Sequence, residues 1–453
     1  MPRRSETPAQ NGSGKDPKSA LPIIPEQSVR TYRSSVPLRE PGAMLHALPD
    51  PPDLLSEEFR RSPYPTFETL RRHYPLFYDA RLDAWVISRY EDVTRAFRDA
   101  DVFSSRSWDD QLRPLVRHSL MAMDGEEHTR HRRLISPAFH RKRLTERMSS
   151  AIEASARQLV RAIAADGSAD FAEHFSRRLP VKVIMRLLGV SEDNEDFRRW
   201  YRAIVDYSGN FDQNPEVARA GLAAGEELAG FLDEQIRRRR ADPGDDLISL
   251  LCTSEVDGAR MADDMIKSFG LVLLAAGGET TEKALNLTVC HLLANRLGAA
   301  VAAEERLMDQ ALAETLRLTP PVQVITRETR EPVTLSGGSL PAGALVFLLV
   351  GAANRDPSRF GSPDTFDVYR RDSEADRAFA GAAQHLAFGS GRHFCVGSSL
   401  AHMEITTALR VLFDTLPDLR FSPGFAPQDV GFVTRGPRQV LIDFTPVPAH
   451  ATR

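Results

Sequence analysis

The 453-residue sequence predicts a mainly α protein, a large helical body around one long apolar helix, with small β-sheets attached. Two observations carry that prediction. From Glu126 to about Leu318 almost every segment repeats its apolar residues at helical spacing. After "LRLTPP" (316–321) the texture changes to short apolar runs bounded by Gly and Pro.

Along the chain, residues 1–45 are rich in Pro, Ser, Gly and charge, which predicts a disordered tail. "AWVISRY" (84–90) reads as a strand ahead of the helical "EDVTRAFRDA". Amphipathic helices follow in "RLTERMSSAIEASARQLVRAIAA", "EDFRRWYRAIV" and "EVARAGLAAGEELAGFLDEQIRRRR". Met261 to about Leu293 is apolar almost throughout, as expected of a helix buried on most sides. "PVTLSGGSLPAGALVFLLVG" reads as strand, Gly-Gly turn, strand, and "RQVLIDF" (438–444) as a late strand. No internal repeat and no dividing linker is visible.

A hydrophobic content of 42% with 26% charged residues fits a soluble protein with a large core. The formal net charge of −4 gives no reason to expect nucleic acid or an anionic membrane as partner. No apolar run approaches the roughly 20 residues that span a bilayer. "MPRRSETPAQNGSGKDPKSA" lacks the apolar stretch of a secretory signal, so a cytoplasmic location is expected. Cys252, Cys290 and Cys395 are too few for a disulfide scaffold and form no C-x-x-C pair. "GSGK" (12–15) lacks the full phosphate-loop spacing. G-x-S-x-G, H-E-x-x-H and a post-strand G-x-G-x-x-G are all missing, so hydrolase and nucleotide-binding readings have no support.

Four segments carry chemistry. In "FGSGRHFCVG" (388–397), Cys395 lies where a glycine-studded loop becomes the helix of "SSLAHMEITTALRVLFDTL". Backbone N–H groups would point at it, a setting expected to favour thiolate over thiol. The plain alternative is a small buried hydrophobe, the fate expected of Cys252 and Cys290. Gly389, Gly391 and Gly397 suit close backbone approach to something flat. A solitary thiolate held by a turn is one way to ligate haem iron. In "AAGGETTE" (275–282), two mid-helix glycines cost about 1 kcal/mol each, and close helix packing would explain them. Glu279 and Thr280 in so apolar a stretch suggest instead a widened turn that exposes backbone and hydroxyl to a cavity. "ETLR" (314–317) pairs Glu314 with Arg317, a spacing common on surface helices. "EEHTRHRRLISPAF" (126–139) sets His128 and Arg132 one turn apart, either a solvated basic face or a clamp for a carboxylate.

In this order along one chain, and joined by "HLAFGSGRHFCVGSSLAHME" (385–404), the segments resemble the cytochrome P450 family, in particular its soluble bacterial members, over about residues 50–445. The signature F-G-x-G-x-H-x-C-x-G is matched by Phe388, Gly389, Gly391, His393, Cys395 and Gly397. "AGGET" resembles the oxygen-activation segment, "ETLR" the E-x-x-R pair, and "GAANRDPSRFGSPDTFDVYR" (351–370) the stretch between that pair and the cysteine. The resemblance implies the P450 fold, with a single domain over 46–447, the tail 1–45 before it and a short tail 448–453 after it. It implies haem b (iron protoporphyrin IX), with Cys395 as thiolate ligand of the iron and Phe388 and Gly389 in the cofactor-binding loop. His128, Arg132, Arg327 and His393 match positions that bind haem propionates. Glu279 and Thr280 match the acid–alcohol pair that relays protons to the oxygen site. Glu314 and Arg317 match a buried charge network, with Arg370 as third partner. Two departures, His402 where relatives carry arginine and "DGEEH" (124–128) for Asp-Pro-Pro-Glu-His, are not expected to touch the chemistry.

The activity so implied is monooxygenation: one atom of O2 enters a C–H bond, or an epoxide forms, on a small to medium organic substrate, with natural-product tailoring as the default. No flavin or ferredoxin module is visible, so a separate ferredoxin and NAD(P)H-dependent reductase would supply electrons. Arg130, Arg133 and Arg392 are candidate ferredoxin contacts. The pocket roof would come from 103–120, 205–218, Leu274–Gly278, 322–326 and 431–435. Trp108 among arginines in "SSRSWDDQLRPLVRH" suits an amphipathic substrate with an acidic or polar end. The rivals are peroxide-driven or non-oxygenative chemistry on the same fold and a non-catalytic haem protein. The first has less need of a Glu279–Thr280 relay, and for the second a complete relay would be unnecessary.

Overall fold

Where apolar residues recur at three- and four-residue spacing, the chain is helical: fifteen α-helices appear among the described residues. The computed structural model describes residues 51–112, 115, 118–209, 214–370 and 377–448. The predicted tail 1–45 and all but the first residue of 448–453 lie outside these.

The apolar stretch forms one continuous 32-residue α-helix, Asp263–Ala294, the central helix. Asp263 and Asp264 in its first turn complement the helix dipole. At its far end Arg296 takes a left-handed φ of 56°, the conformation that commonly closes a helix. The helices Leu179–Leu187, Glu195–Ser208, Pro215–Ala241, Glu305–Leu318 and Ser398–Thr415 all pack on it. Leu274, Leu285, Val289 and Leu292 of the central helix are buried in the principal core.

The largest sheet has five strands, in the order Leu76–Asp79, Ala84–Ile87, Leu345–Leu349, Val324–Thr329, Phe103–Ser104. Only the pair Ala84–Ile87 and Leu345–Leu349 is parallel. A three-stranded sheet joins Arg420–Phe421, Leu441–Asp443 and Ser168–Asp170. The expected strand at 84–90 stops at Ile87, because the helix Tyr90–Arg98 claims its last residue. "LSGGSL" makes the expected hairpin, its turn at Gly337 and Gly338 with φ of 98° and 156°. Helix is nearly continuous from 126 to 318, as read from sequence. Its strand interruptions among the described residues are Ser168–Asp170 and the hairpin Glu255–Val256/Ala259–Arg260.

Candidate functional site

The cysteine loop is held by its own backbone. The N–H of Cys395 donates to the Phe388 carbonyl at 2.9 Å, and that of Phe394 to the Gly391 carbonyl at 3.1 Å. Gly389 and Gly391 adopt φ of 70° and 72°. A Cβ at Gly391 would stand 2.7 Å from the Phe97 carbonyl oxygen, so only glycine fits there. Gly397 caps the cysteine helix, Ser398–Thr415, and the amides of Gly397 and Ser398 hydrogen-bond the half-buried sulfur. The ring of Phe388 lies among Phe379, His385 and Phe394. The expectation that the loop alone favours a thiolate is corrected: burial pushes the Cys395 thiol up, and outweighs the two amides and nearby Arg132. A thiolate here needs a further positive charge, such as a metal ion would supply.

Around the loop the structure gathers cationic and neutral donors that lack an anion. His128 is buried, and neither ring nitrogen has a protein partner. Burial, then the neighbouring His393 and Arg132, lower its pKa to about 3, so it is neutral. Arg132 donates to the Phe394 carbonyl at 2.6 Å and Arg327 to the Thr326 carbonyl at 2.8 Å. Among the described residues neither forms an ion pair with a carboxylate. Burial lowers the pKa of Arg327 to about 10. His393 lies against His128, the rings tilted by 35° with centres 4.1 Å apart, and places Nε2 3.7 Å from Asp124 Oδ1. Asp124 went unnoticed in the sequence, although it opens the quoted "DGEEH". Burial opposes its ionisation, but the nearby His393 and hydrogen bonds from Ser104, the Ser105 amide and Arg330 hold its carboxyl well below the usual range. Asp124 therefore stands beside His393, and the departing segment does reach the site.

The widened turn expected at 275–282 is absent, since the central helix is regular throughout. Its glycines serve close packing, the plainer alternative. A Cβ on Gly278 would lie 2.3 Å from the Tyr201 ring, and one on Gly277 3.2 Å from Ile184. The wide helical turn instead occupies Ala172–Ser176, a segment packed against the central helix. Thr280 Oγ1 donates to the Ala276 carbonyl at 2.8 Å. Glu279 is bonded not to Thr280 but to Lys283 Nζ and Thr434 Oγ1. Although other helices surround the central helix, Ala276 is exposed, and Val272, Leu273 and Thr280 are partly so. At helical spacing these lie on one side, while Leu271, Leu274, Gly278 and Thr281 on the other are buried. An exposed stripe on a helix so enclosed lines an internal space.

Glu314 and Arg317 are 1% and 0% exposed, far from the surface pair that their spacing alone suggested. Arg317 grips the Glu314 carboxylate with Nε and Nη2 at 2.7 and 2.8 Å, and Arg370 Nε adds a second cation at 3.1 Å. Arg317 also donates to the carbonyls of Asn354 and Pro363, at 2.9 and 2.7 Å. Asn354 Oδ1 in turn accepts from the Leu386 N–H at 2.7 Å, which ties the network to the cysteine loop. Asn354 stands in the quoted "GAANRDP", but nothing local marks its role.

The family model for cytochrome P450 matches residues 60–416. The chain belongs to the cytochrome P450 family. It is 36% identical over 394 residues to the pulcherriminic acid synthase of Bacillus subtilis (strain 168), covering 86% of this chain and 97% of that one. It is 36% identical over 389 residues to the P450 monooxygenase PikC of Streptomyces venezuelae, covering 82% and 88%. The structure of P450 CYP109Q5 from Chondromyces apiculatus superposes with a TM-score of 0.77 at 30% identity, over 86% of this chain and 97% of that one. The mainly α fold, the family and the class of oxidoreductase, a P450 monooxygenase, follow. The residues fit the haem of a P450: a sulfur under two helix amides, an orphaned buried imidazole and two arginines without counter-anions suit an iron porphyrin with carboxylate arms.

Other expected residues on these same elements face solvent or tie helices together. Arg130, Arg133 and Arg392 are exposed, and Arg130 lies 3.6 Å from Asp257. His402 bonds Asp309 at 2.7 Å and so ties the cysteine helix to Glu305–Leu318. Residues 113, 114, 116, 117 and 210–213 of the expected pocket roof lie outside the described residues. No described helix is long and apolar enough to cross a membrane.

Proposed function

We propose that this P450 inserts one atom of O2 into a C–H bond, or forms an epoxide, on a natural-product substrate, with electrons from a separate ferredoxin and reductase. The observation that carries this reading is the exposed stripe of the central helix, where an alcohol, Thr280, stands next in sequence to an acid. When bound, haem b would supply dioxygen activation. Cys395 would ligate its iron, while His128, Arg132, Arg327 and His393 would hold its propionates, with Asp124 close behind His393. Phe388 and Gly389 shape the loop behind the sulfur. The Thr280 hydroxyl can release the Ala276 carbonyl and turn its donor into the internal space, and Glu279 is the adjacent proton source. Val272, Leu273 and Ala276 keep the lining apolar, which excludes bulk water and suits a substrate with a hydrophobic body. The relative named as pulcherriminic acid synthase supports a biosynthetic role.

The test is Thr280→Ala with a surrogate ferredoxin and reductase. Haem content and the ferrous carbonyl spectrum should match wild type, while a larger share of the electrons emerges as hydrogen peroxide. Unchanged coupling would defeat the proton-relay assignment. Cys395→Ser should lose the thiolate-type carbonyl band. If Arg130, Arg133 and Arg392 receive the ferredoxin, their charge-reversal variants should slow reduction, and the effect should fade as salt is added.

A further inference from the structure

Glu279, Lys283 and Thr434 form a closed triangle. Thr434 Oγ1 donates to Glu279 Oε1 at 2.9 Å, Lys283 Nζ donates to Thr434 Oγ1 at 2.8 Å, and Lys283 Nζ also pairs with Glu279 Oε1. The side chains of Lys283 and Glu279 are only 14% and 17% exposed, so the pair is partly shielded from solvent. A second observation shows that the lysine is threaded rather than draped. Its stem crosses Gly436, where a Cβ would come within 3.0 Å of Lys283 Cγ. Glycine at 436 leaves room for the ammonium to reach the turn.

That turn, 431–435, joins Asp429–Val430 to Gly436–Pro437 and is anchored on three sides. Arg435 donates to the carbonyls of Arg60 and Arg61, both at 2.8 Å. The Gln323 N–H donates to the Val433 carbonyl at 2.7 Å, the Arg435 N–H donates to the Pro321 carbonyl, and Val322 bridges Thr434. The turn and 321–323 thus form one unit, with Phe432, Val433 and Val322 each partly exposed on it. The acid next to Thr280 is fastened to this unit, not to its neighbouring alcohol.

We propose that Lys283 and Thr434 are positioning residues that tie Glu279 to the turn 431–435 and so set where the acid stands when it serves Thr280. The proposal rests on Glu279 and Thr280 acting in proton delivery. It assigns Lys283 and Thr434 no contact with the reacting atoms. They act through Glu279 alone, by setting where its carboxyl is held.

The test uses the holoenzyme and three variants, Lys283→Met, Lys283→Arg and Thr434→Val, with no substrate added. Hydrogen–deuterium exchange of 429–437 should be several-fold faster in Lys283→Met and near wild type in Lys283→Arg. The share of NADH electrons released as peroxide should change several-fold in Lys283→Met and in Thr434→Val, and Lys283→Arg should restore it. In a Glu279→Gln background, Lys283→Met should add nothing. Faster exchange with an unchanged peroxide share would make the triangle merely structural and overturn the proposal. So would an additive effect in the Glu279→Gln background. If Thr280→Ala is also silent, the relay reading itself fails; if Thr280→Ala uncouples while these variants do not, only the present inference falls. Thr434→Val, nearly isosteric, keeps the test open should Lys283→Met fold poorly.

Discussion

Glu404 shows how one side chain sets a pH dependence. It lies on the cysteine helix, is 3% exposed and leaves Oε1 without a protein partner. Burial alone pushes its carboxyl up to about 8. An acid whose folded pKa exceeds its unfolded value keeps its proton in the native state while the unfolded chain loses it. Its contribution to stability is therefore greatest below the unfolded value and declines as pH rises towards about 8. Glu404→Gln should flatten the fall in unfolding free energy between mildly acidic and slightly alkaline pH, read from denaturant titrations across that range. An unchanged slope would mean that Glu404 is ionised in the fold. In sequence this residue was one polar position in "SSLAHMEITTALRVLFDTL"; its burial comes from the packing of that helix on the helix Arg141–Arg161 and on the central one.

At the scale of elements, the central helix is governed by what packs on it. Gly278 receives the ring of Tyr201 from the helix Glu195–Ser208, with the Tyr201 hydroxyl buried and unpartnered beside it. Gly278→Ala would force its methyl into a rigid ring, and overpacking of this kind costs about 1–3 kcal/mol. The thermal midpoint should fall, and Tyr201→Leu in the same background should recover part of the loss. An unshifted midpoint in Gly278→Ala would show that the helices part without cost. The sequence marked these glycines as unusual but could not separate a widened turn from a close contact. The two differ only in which neighbour arrives, and Tyr201 lies 77 residues upstream.

For the molecule as a whole, the Glu314 network joins distant stretches of chain. The two guanidiniums on Glu314 come from its own helix and from Arg370, and Arg317 reaches the carbonyls of Asn354, Pro363 and Thr365. Glu314→Ala would leave both cations buried without a counter-charge, a loss of about 3–5 kcal/mol. Because Asn354 also holds Leu386, the damage should spread to the cysteine loop. Purified Glu314→Ala should retain less haem per chain than wild type, with part of its carbonyl spectrum shifted away from the thiolate form. Full haem retention would show that the loop holds itself.

By itself the sequence determined the mainly α class, the extent of the central helix to within about two residues, the hairpin at 333–340 and the cysteine loop. These follow from short-range causes: helical and alternating periodicity, and turns that only glycine can make. Tertiary structure alone decided the desolvation of Cys395, the partners of Glu279, the approach of Asp124 to His393, and whether Glu314 and Arg317 are buried or exposed. Each of those depends on desolvation and on charges brought close from remote parts of the chain, and local spacing carries no record of either.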